Sequence, residues 1–284
     1  MGSISDSPSA LFGAVYQACQ TERLEDSAMN INNFLMHIVL KYRRTTTKYL
    51  YRRMVKLNIA TPIISFSFDD APHTAFTHGG DILNVYGARA TFYVSLGMLE
   101  SDSPSGPIAS VEDLRRSVKE GHELGCHTYD HKHSWDTNPD LFVQSVFENR
   151  QTLSKIFPEM TFSTLAYPFC GPRPAIKKVV GQLFQCCRSG GQTFNVGTTD
   201  LNLLNAYFLD ARIGDTIDSI RHIIDKNAES NGWLIFATHD IENNPSPYGC
   251  SKEFFKMVVA HAAKSGALLL SVGKAFEHIQ IEGQ

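Results

Sequence analysis

A chain of 284 residues, 43% hydrophobic and 19% charged, has material for one large α/β domain or two small ones and is too apolar to remain disordered. Lys and Arg number 26 against 29 Asp and Glu, so no global basic field favours nucleic acid. The best apolar run, Phe34 to Leu40, contains His37 and is far short of the roughly 20 residues of a membrane span.

Residues 1–58 read as a helical N-terminal extension, with Ala10–Gln20 and Leu35–Lys56 as its helical stretches, and 59–284 as the main domain. Lys41 through Lys56 holds seven basic residues and no acid, which suits an anionic membrane surface or, equally, a solvated helix face. The opening residues lack the basic-then-apolar order of a secretory signal. Six cysteines at no regular spacing make no disulfide framework. A cytoplasmic location with reduced thiols is the resulting expectation.

From Thr61 the pattern alternates. Strands are expected at Ile63–Phe68, Ala90–Leu96, Glu123–His127, Thr164–Phe169, Leu234–His239 and Ala267–Val272. Helices are expected at Val111–Lys119, behind the capping box Ser110-x-x-Asp113, and at Leu141–Ile156, Ala175–Cys187, Ile217–Ala228 and Lys252–Lys264. The Gly/Ser/Pro stretch 101–107 reads as a surface loop. Repeated β-then-α units imply a mostly parallel sheet, open or closed into a barrel.

Three strand ends carry chemistry. Ile63–Phe68 runs into Asp69 and Asp70 before Pro72 breaks it; paired acids there can hold a cation and act as a base, or simply make a turn. Small polar side chains at Ser65 and Ser67, on the face shared with Ile63 and Asp69, suit a lined cavity. Glu123–His127 leads into His127-x-x-x-His131, a spacing that lets two imidazoles reach one metal if the stretch turns helically. Asp130 offers a second acceptor there and His133 a third imidazole. Leu234–His239 delivers His239, suited to proton transfer near neutral pH. Together these describe a two-His, one-carboxylate metal site with a base and an acid beside it, hence metal-assisted hydrolysis, with the substrate undefined.

The order and wording of these motifs resemble the polysaccharide deacetylase family with the NodB homology domain, from about Ile63 to Glu277. The resemblance rests on Phe68-Asp69-Asp70, Ala90-Thr91-Phe92-Tyr93-Val94, Gly121-His122-Glu123-Leu124-Gly125-Cys126-His127-Thr128-x-x-His131, Tyr167-Pro168-Phe169 and Thr238-His239-Asp240. It implies a distorted (β/α) barrel of about seven strands. It implies that Asp70, His127 and His131 hold a divalent metal, zinc first, that Asp69 is the catalytic base and His239 the catalytic acid. It further implies an oxyanion and substrate pocket of Tyr167, Phe169 and Arg188, with a backbone N–H near Phe169 on the oxyanion. The implied activity is removal of N-acetyl from an amino sugar or polysaccharide, hydrolysis of a carbon–nitrogen bond that is not a peptide bond. The implied partner is an acetylated glycan, with no nucleic acid.

Ala166 stands where the family often has an arginine that orients the base, so Arg188 or Arg173 is expected to replace it, or Asp69 is oriented differently. Ala71 and Cys170 stand where the family prefers glycine, and no clear groove tryptophan motif lies between Asp200 and Asp215. Those departures leave room for a hydrolase of O-acetyl esters or small cyclic amides and imides, or for a non-catalytic glycan-binding relative. His73 and His78 read as surface histidines or as the pocket mouth, His122 as structural, and Trp135 as a sugar platform or a packing residue.

Overall fold

Alternation along the central strand already sorts its environment. In Ile63–Phe68 all six residues are buried, yet Ile64, Phe66 and Phe68 face one apolar layer and Ile63, Ser65 and Ser67 another. The computed structural model describes residues 35–169 and 171–282. The chain divides after Thr46, and the barrel lies within Thr47–Gln284.

In chain order the elements begin with a helix over residues 35–49 (α1). β1 (Met54–Asn58) and β2 (Ile63–Phe68) follow, then a π-helical turn at Ala75–Gly80 and α2 (Asp81–Val85). Next come β3 (Ala90–Val94), a short hairpin of β4 (Asp102–Ser103) and β5 (Gly106–Pro107), α3 (Val111–Lys119) and β6 (Glu123–Cys126). The middle of the chain holds α4 (Pro139–Ile156), β7 (Thr164–Ala166), α5 (Pro174–Val180), β8 (Cys186–Arg188), β9 (Thr198–Asp200) and β10 (Tyr207–Phe208). The last part holds α6 (Ile217–Glu229), β11 (Trp233–Thr238), β12 (Ile241–Glu242), β13 (Cys250–Ser251), α7 (Lys252–Lys264), β14 (Leu268–Leu269), α8 (Val272–His278) and β15 (Gln280–Glu282).

Seven strands run side by side in the order β10-β11-β2-β3-β6-β7-β8, all pairs parallel. β14 fills the gap beside the start of β2, pairing Leu268 with Ile63 where β3 has not yet begun. The sheet curls back on itself. Leu204 donates to the Cys187 carbonyl (2.8 Å) and accepts from the Ser189 N–H (2.8 Å), and shortly after it β10 pairs with β11. A distorted (β/α) barrel results. Its outer face carries the larger core, where Phe66 stacks on Phe236 (5.5 Å) and meets the edge of Phe255 from α7 (5.7 Å). Its interior is filled by Trp233, whose indole N–H donates to Ser65 Oγ (3.0 Å), so the Ser65 face is packed there rather than open.

The expected helices α3 and α7 appear with the expected bounds, and the Ser110/Asp113 capping box is formed in both directions. Two expectations fail. Leu35–Lys56 is not one helix: α1 ends by residue 49, and β1 follows, paired antiparallel with β9 and β15. The predicted helix Ala175–Cys187 stops at Val180, and Cys186–Arg188 is a fully buried strand beside β7. Tertiary pairing overrides local pattern at such short strands. Ala10–Gln20 and Cys170 lie outside the described residues. Cys126, Cys186, Cys187 and Cys250 are buried free thiols.

Candidate active site

The parallel strands deliver their carboxyl-terminal residues to one rim. Asp69 and Asp70 follow β2, His127 follows β6, Tyr167 follows β7, Arg188 ends β8 and His239 follows β11. A cavity of about 400 Å³ opens there, lined by Asp69, Asp70, His127, His131, Tyr167, Phe169 and His239.

His127 and His131 do not lie on a helix. The stretch is a loop, and Thr128 (φ 62°) and His131 (φ 53°) take the left-handed conformation that turns the second imidazole back. Asp70 (φ 57°), Ala71 (φ 51°) and Phe169 (φ 57°) are equally unusual, so the rim concentrates backbone strain of a kind that persists at functional sites. Asp70 Oδ1 ends 3.0 Å from His131 Nε2 and 3.5 Å from His127 Nε2. The ligand atoms of the three residues all lie within 4.8 Å of one another.

This arrangement fits a metal ion. His127 Nδ1 donates to the Ala166 carbonyl (2.8 Å), which fixes the tautomer and turns the Nε2 lone pair toward Asp70. Burial pushes His127 down to about 4, so it is neutral and able to ligate. Burial pushes the Asp70 carboxyl up, but His131, His127 and His239 outweigh it and hold it well below the usual range. Asp70 Oδ1 is buried and accepts no well-formed hydrogen bond. Two imidazoles and a carboxylate around an orphaned oxygen form a donor set suited to a borderline cation such as zinc, with positions left open.

Asp69 forms a buried ion pair with Arg188. Burial pushes its carboxyl up; Arg188, then His127 and His239, outweigh this and keep it ionised. Arg188 sits directly across from Ala166 in the β7–β8 register. The guanidinium that Ala166 lacks is therefore supplied by its cross-strand neighbour, while Arg173 lies at the start of α5 with its N–H on Ser134 Oγ (3.0 Å). Arg188 is held over Tyr93 (5.0 Å) and Phe208 (5.5 Å). His239 Nδ1 donates to the Tyr248 carbonyl (3.1 Å), leaving Nε2 toward the cavity, 3.9 Å from Asp70 Oδ2.

The other predicted residues disperse. Asp130 binds Lys132 and Ser145 and orients neither imidazole. His133 pairs with Asp136 and packs edge-on to Phe169 (4.9 Å). His73 binds Asp113 (2.9 Å), His78 the Ile241 carbonyl (2.8 Å), and the Trp135 indole donates to Gly171 O (2.8 Å). His122 is buried and accepts from the Ala90 N–H (3.0 Å), a structural role. The Tyr167 N–H is taken by the Arg188 carbonyl (3.0 Å), and Phe169 stands 64% exposed on the cavity wall. Met98, Ser103, Pro104, Ser105, Phe208, Arg212 and Tyr248 complete the walls. None carried a sequence signal: the 101–107 stretch read as a surface loop is the β4–β5 hairpin that encloses one side.

Fold and site together define a parallel α/β barrel protein with an Asp/His/His cluster at the carboxyl ends of its strands. The sequence profile of polysaccharide deacetylases matches residues 57–184. The peptidoglycan-N-acetylglucosamine deacetylase of Bacillus cereus is 28% identical over 94 residues, 33% of this chain. The match spans only 40% of that relative's length. Among solved structures, the family 4 acetyl xylan esterase from Clostridium thermocellum, in complex with a cobalt ion, superposes with a TM-score of 0.54 at 20% identity, over 76% of this chain and 90% of its own. A CE4 family pseudoenzyme from Bacillus anthracis gives 0.54 at 10% identity, over 77% and 66%. These likenesses show a shared fold. Arg188 and His239 lie beyond the matched residues, so their place in the site rests on geometry.

Proposed function

We propose that this protein is a metal-dependent hydrolase that removes an N-acetyl group from an amino sugar or polysaccharide. The observation that carries this reading is the convergence of Asp70, His127 and His131 beside a buried, ionised Asp69 and the open Nε2 of His239. The match of residues 57–184 to the polysaccharide deacetylase profile supports it. Asp70, His127 and His131 would hold the ion, zinc by the nature of the donors. A bound divalent metal would polarise the acetyl carbonyl and lower the pKa of water toward about 7.

The remaining work falls to side chains. Asp69, fixed by Arg188, accepts the proton of the attacking water at its free carboxylate oxygen. His239 hands a proton from Nε2 to the departing nitrogen, since an unprotonated amide nitrogen is a poor leaving group. With the Tyr167 N–H engaged, the oxyanion contact falls to the Phe169 segment of the wall.

The test is acetate release from N-acetylglucosamine oligomers by metal-loaded and chelated protein. Release that stops with chelator and with Asp69→Asn, and returns with zinc to the wild type alone, is the expected outcome. No release from any acetylated glycan at full metal occupancy would overturn the reading. A second reading, turnover of acetyl esters or small cyclic amides, is favoured by the β4–β5 wall closing one side of the cavity. The same assay on such compounds separates the two.

A further inference from the structure

We infer that α1 is a membrane-surface anchor, lying in the interface of a bilayer rich in anionic lipid. Leu35, Met36, Ile38, Val39 and Leu40 are 52, 58, 49, 42 and 41% exposed, an unusual outlay of aliphatic surface in one short segment. At 3.6 residues per turn these five side chains spread over a broad arc of the helix, which Tyr42 and Arg43 share. His37, Lys41 and Arg44, spaced by four and three, form a stripe on the opposite side. A wide aliphatic face backed by basic residues is the build of a helix that lies in the headgroup region with its apolar side roughly 5–10 Å deep.

Charge chooses the partner. No acid occurs between Asp26 and Asp69, whereas Lys41, Arg43, Arg44, Lys48 and Arg52 fall within that interval. Such a run is drawn to a negative lipid surface. The length selects lying on over spanning: no helix among the described residues is long and apolar enough to cross a bilayer. This inference is independent of the proposed hydrolase activity.

The experiment is co-sedimentation of the full chain with vesicles of phosphatidylcholine alone and of phosphatidylcholine mixed with phosphatidylserine. Partitioning onto the mixed vesicles, weakened by added salt, is expected. Each basic residue near such a surface is worth about fivefold, so Lys41→Gln with Arg44→Gln lowers partitioning on the order of 25-fold. Ile38→Glu with Leu40→Glu abolishes it, while the thermal midpoint of either variant stays at the wild-type value. Absence of vesicle binding, or binding indifferent to lipid charge and to both variants, would overturn the anchor. So would a lowered thermal midpoint in Ile38→Glu with Leu40→Glu, which would show that the apolar arc is covered by protein.

Discussion

Asp69 is a carboxylate 5% exposed, paired with a guanidinium that is itself 1% exposed. Such a pair is asymmetric in its consequences. Both charges paid desolvation on folding, so deleting one strands the other at a cost of about 3–5 kcal/mol. Arg188→Ala is therefore expected to destabilise the fold and to raise the Asp69 carboxyl. Activity that needs ionised Asp69 then fails at a higher pH than in the wild type, so the acidic limb of the pH–rate profile moves upward. Arg188→Lys keeps the charge without the planar fork and falls between. Parallel measurement of thermal midpoint and pH–rate profile checks this: lost stability with an unmoved acidic limb would mean that Arg188 holds the barrel and does not tune the base. The motif order exposed Asp69, Asp70, His127, His131 and His239 as candidates. It left Arg173 beside Arg188 as a replacement for the arginine missing at Ala166, because register between β7 and β8 is a property of pairing that no local pattern encodes.

At the level of elements, the far end of the barrel is tied by one side chain. Glu123, at the start of β6, accepts from Thr91 Oγ1 on β3 (2.8 Å), from Thr164 Oγ1 on β7 (2.8 Å) and from the neighbouring Ser163 Oγ (3.0 Å). It also accepts from the Gly273 N–H at the start of α8 (2.7 Å). Gly273 is required for this approach, since a Cβ there would sit 2.7 Å from Glu123 Oε1. Glu123→Ala leaves the buried Thr91, Thr164 and Gly273 donors without this acceptor and is expected to cost on the order of 3 kcal/mol. The active site lies at the opposite ends of the strands, so the folded fraction should keep the wild-type kcat/KM. Denaturant unfolding alongside kinetics at low temperature checks both halves. Helices with strong local signals, such as α3 behind its capping box, were legible in the sequence. Strands of two or three residues, such as β8 and β10, were not, because their length leaves no periodicity to read.

Across the whole molecule, buried neutral histidine makes stability depend on pH. Burial pushes His122 down to about 4 from an ordinary value of 6.5. Between those values the unfolded chain takes up a proton that the folded chain refuses, so stability falls as pH drops through this window and levels off below about 4. The slope from one such group is at most about 1.4 kcal/mol per pH unit. His122→Asn retains an acceptor for the Ala90 N–H and removes the titration. Its unfolding free energy should therefore fall less steeply than the wild type's from pH 6.5 to 4, and equal slopes would refute the assignment.

The sequence by itself determined the parallel α/β class, the order of the motifs and the residue types able to hold a metal and move protons. Those follow from hydrophobic periodicity and side-chain chemistry, which act locally. Only the tertiary structure decided that Arg188 stands across from Ala166, that left-handed residues fold His131 back onto Asp70, and that the β4–β5 hairpin walls the cavity. Each of these depends on strand register or chain reversal, and contacts between residues distant in sequence form only once the barrel closes.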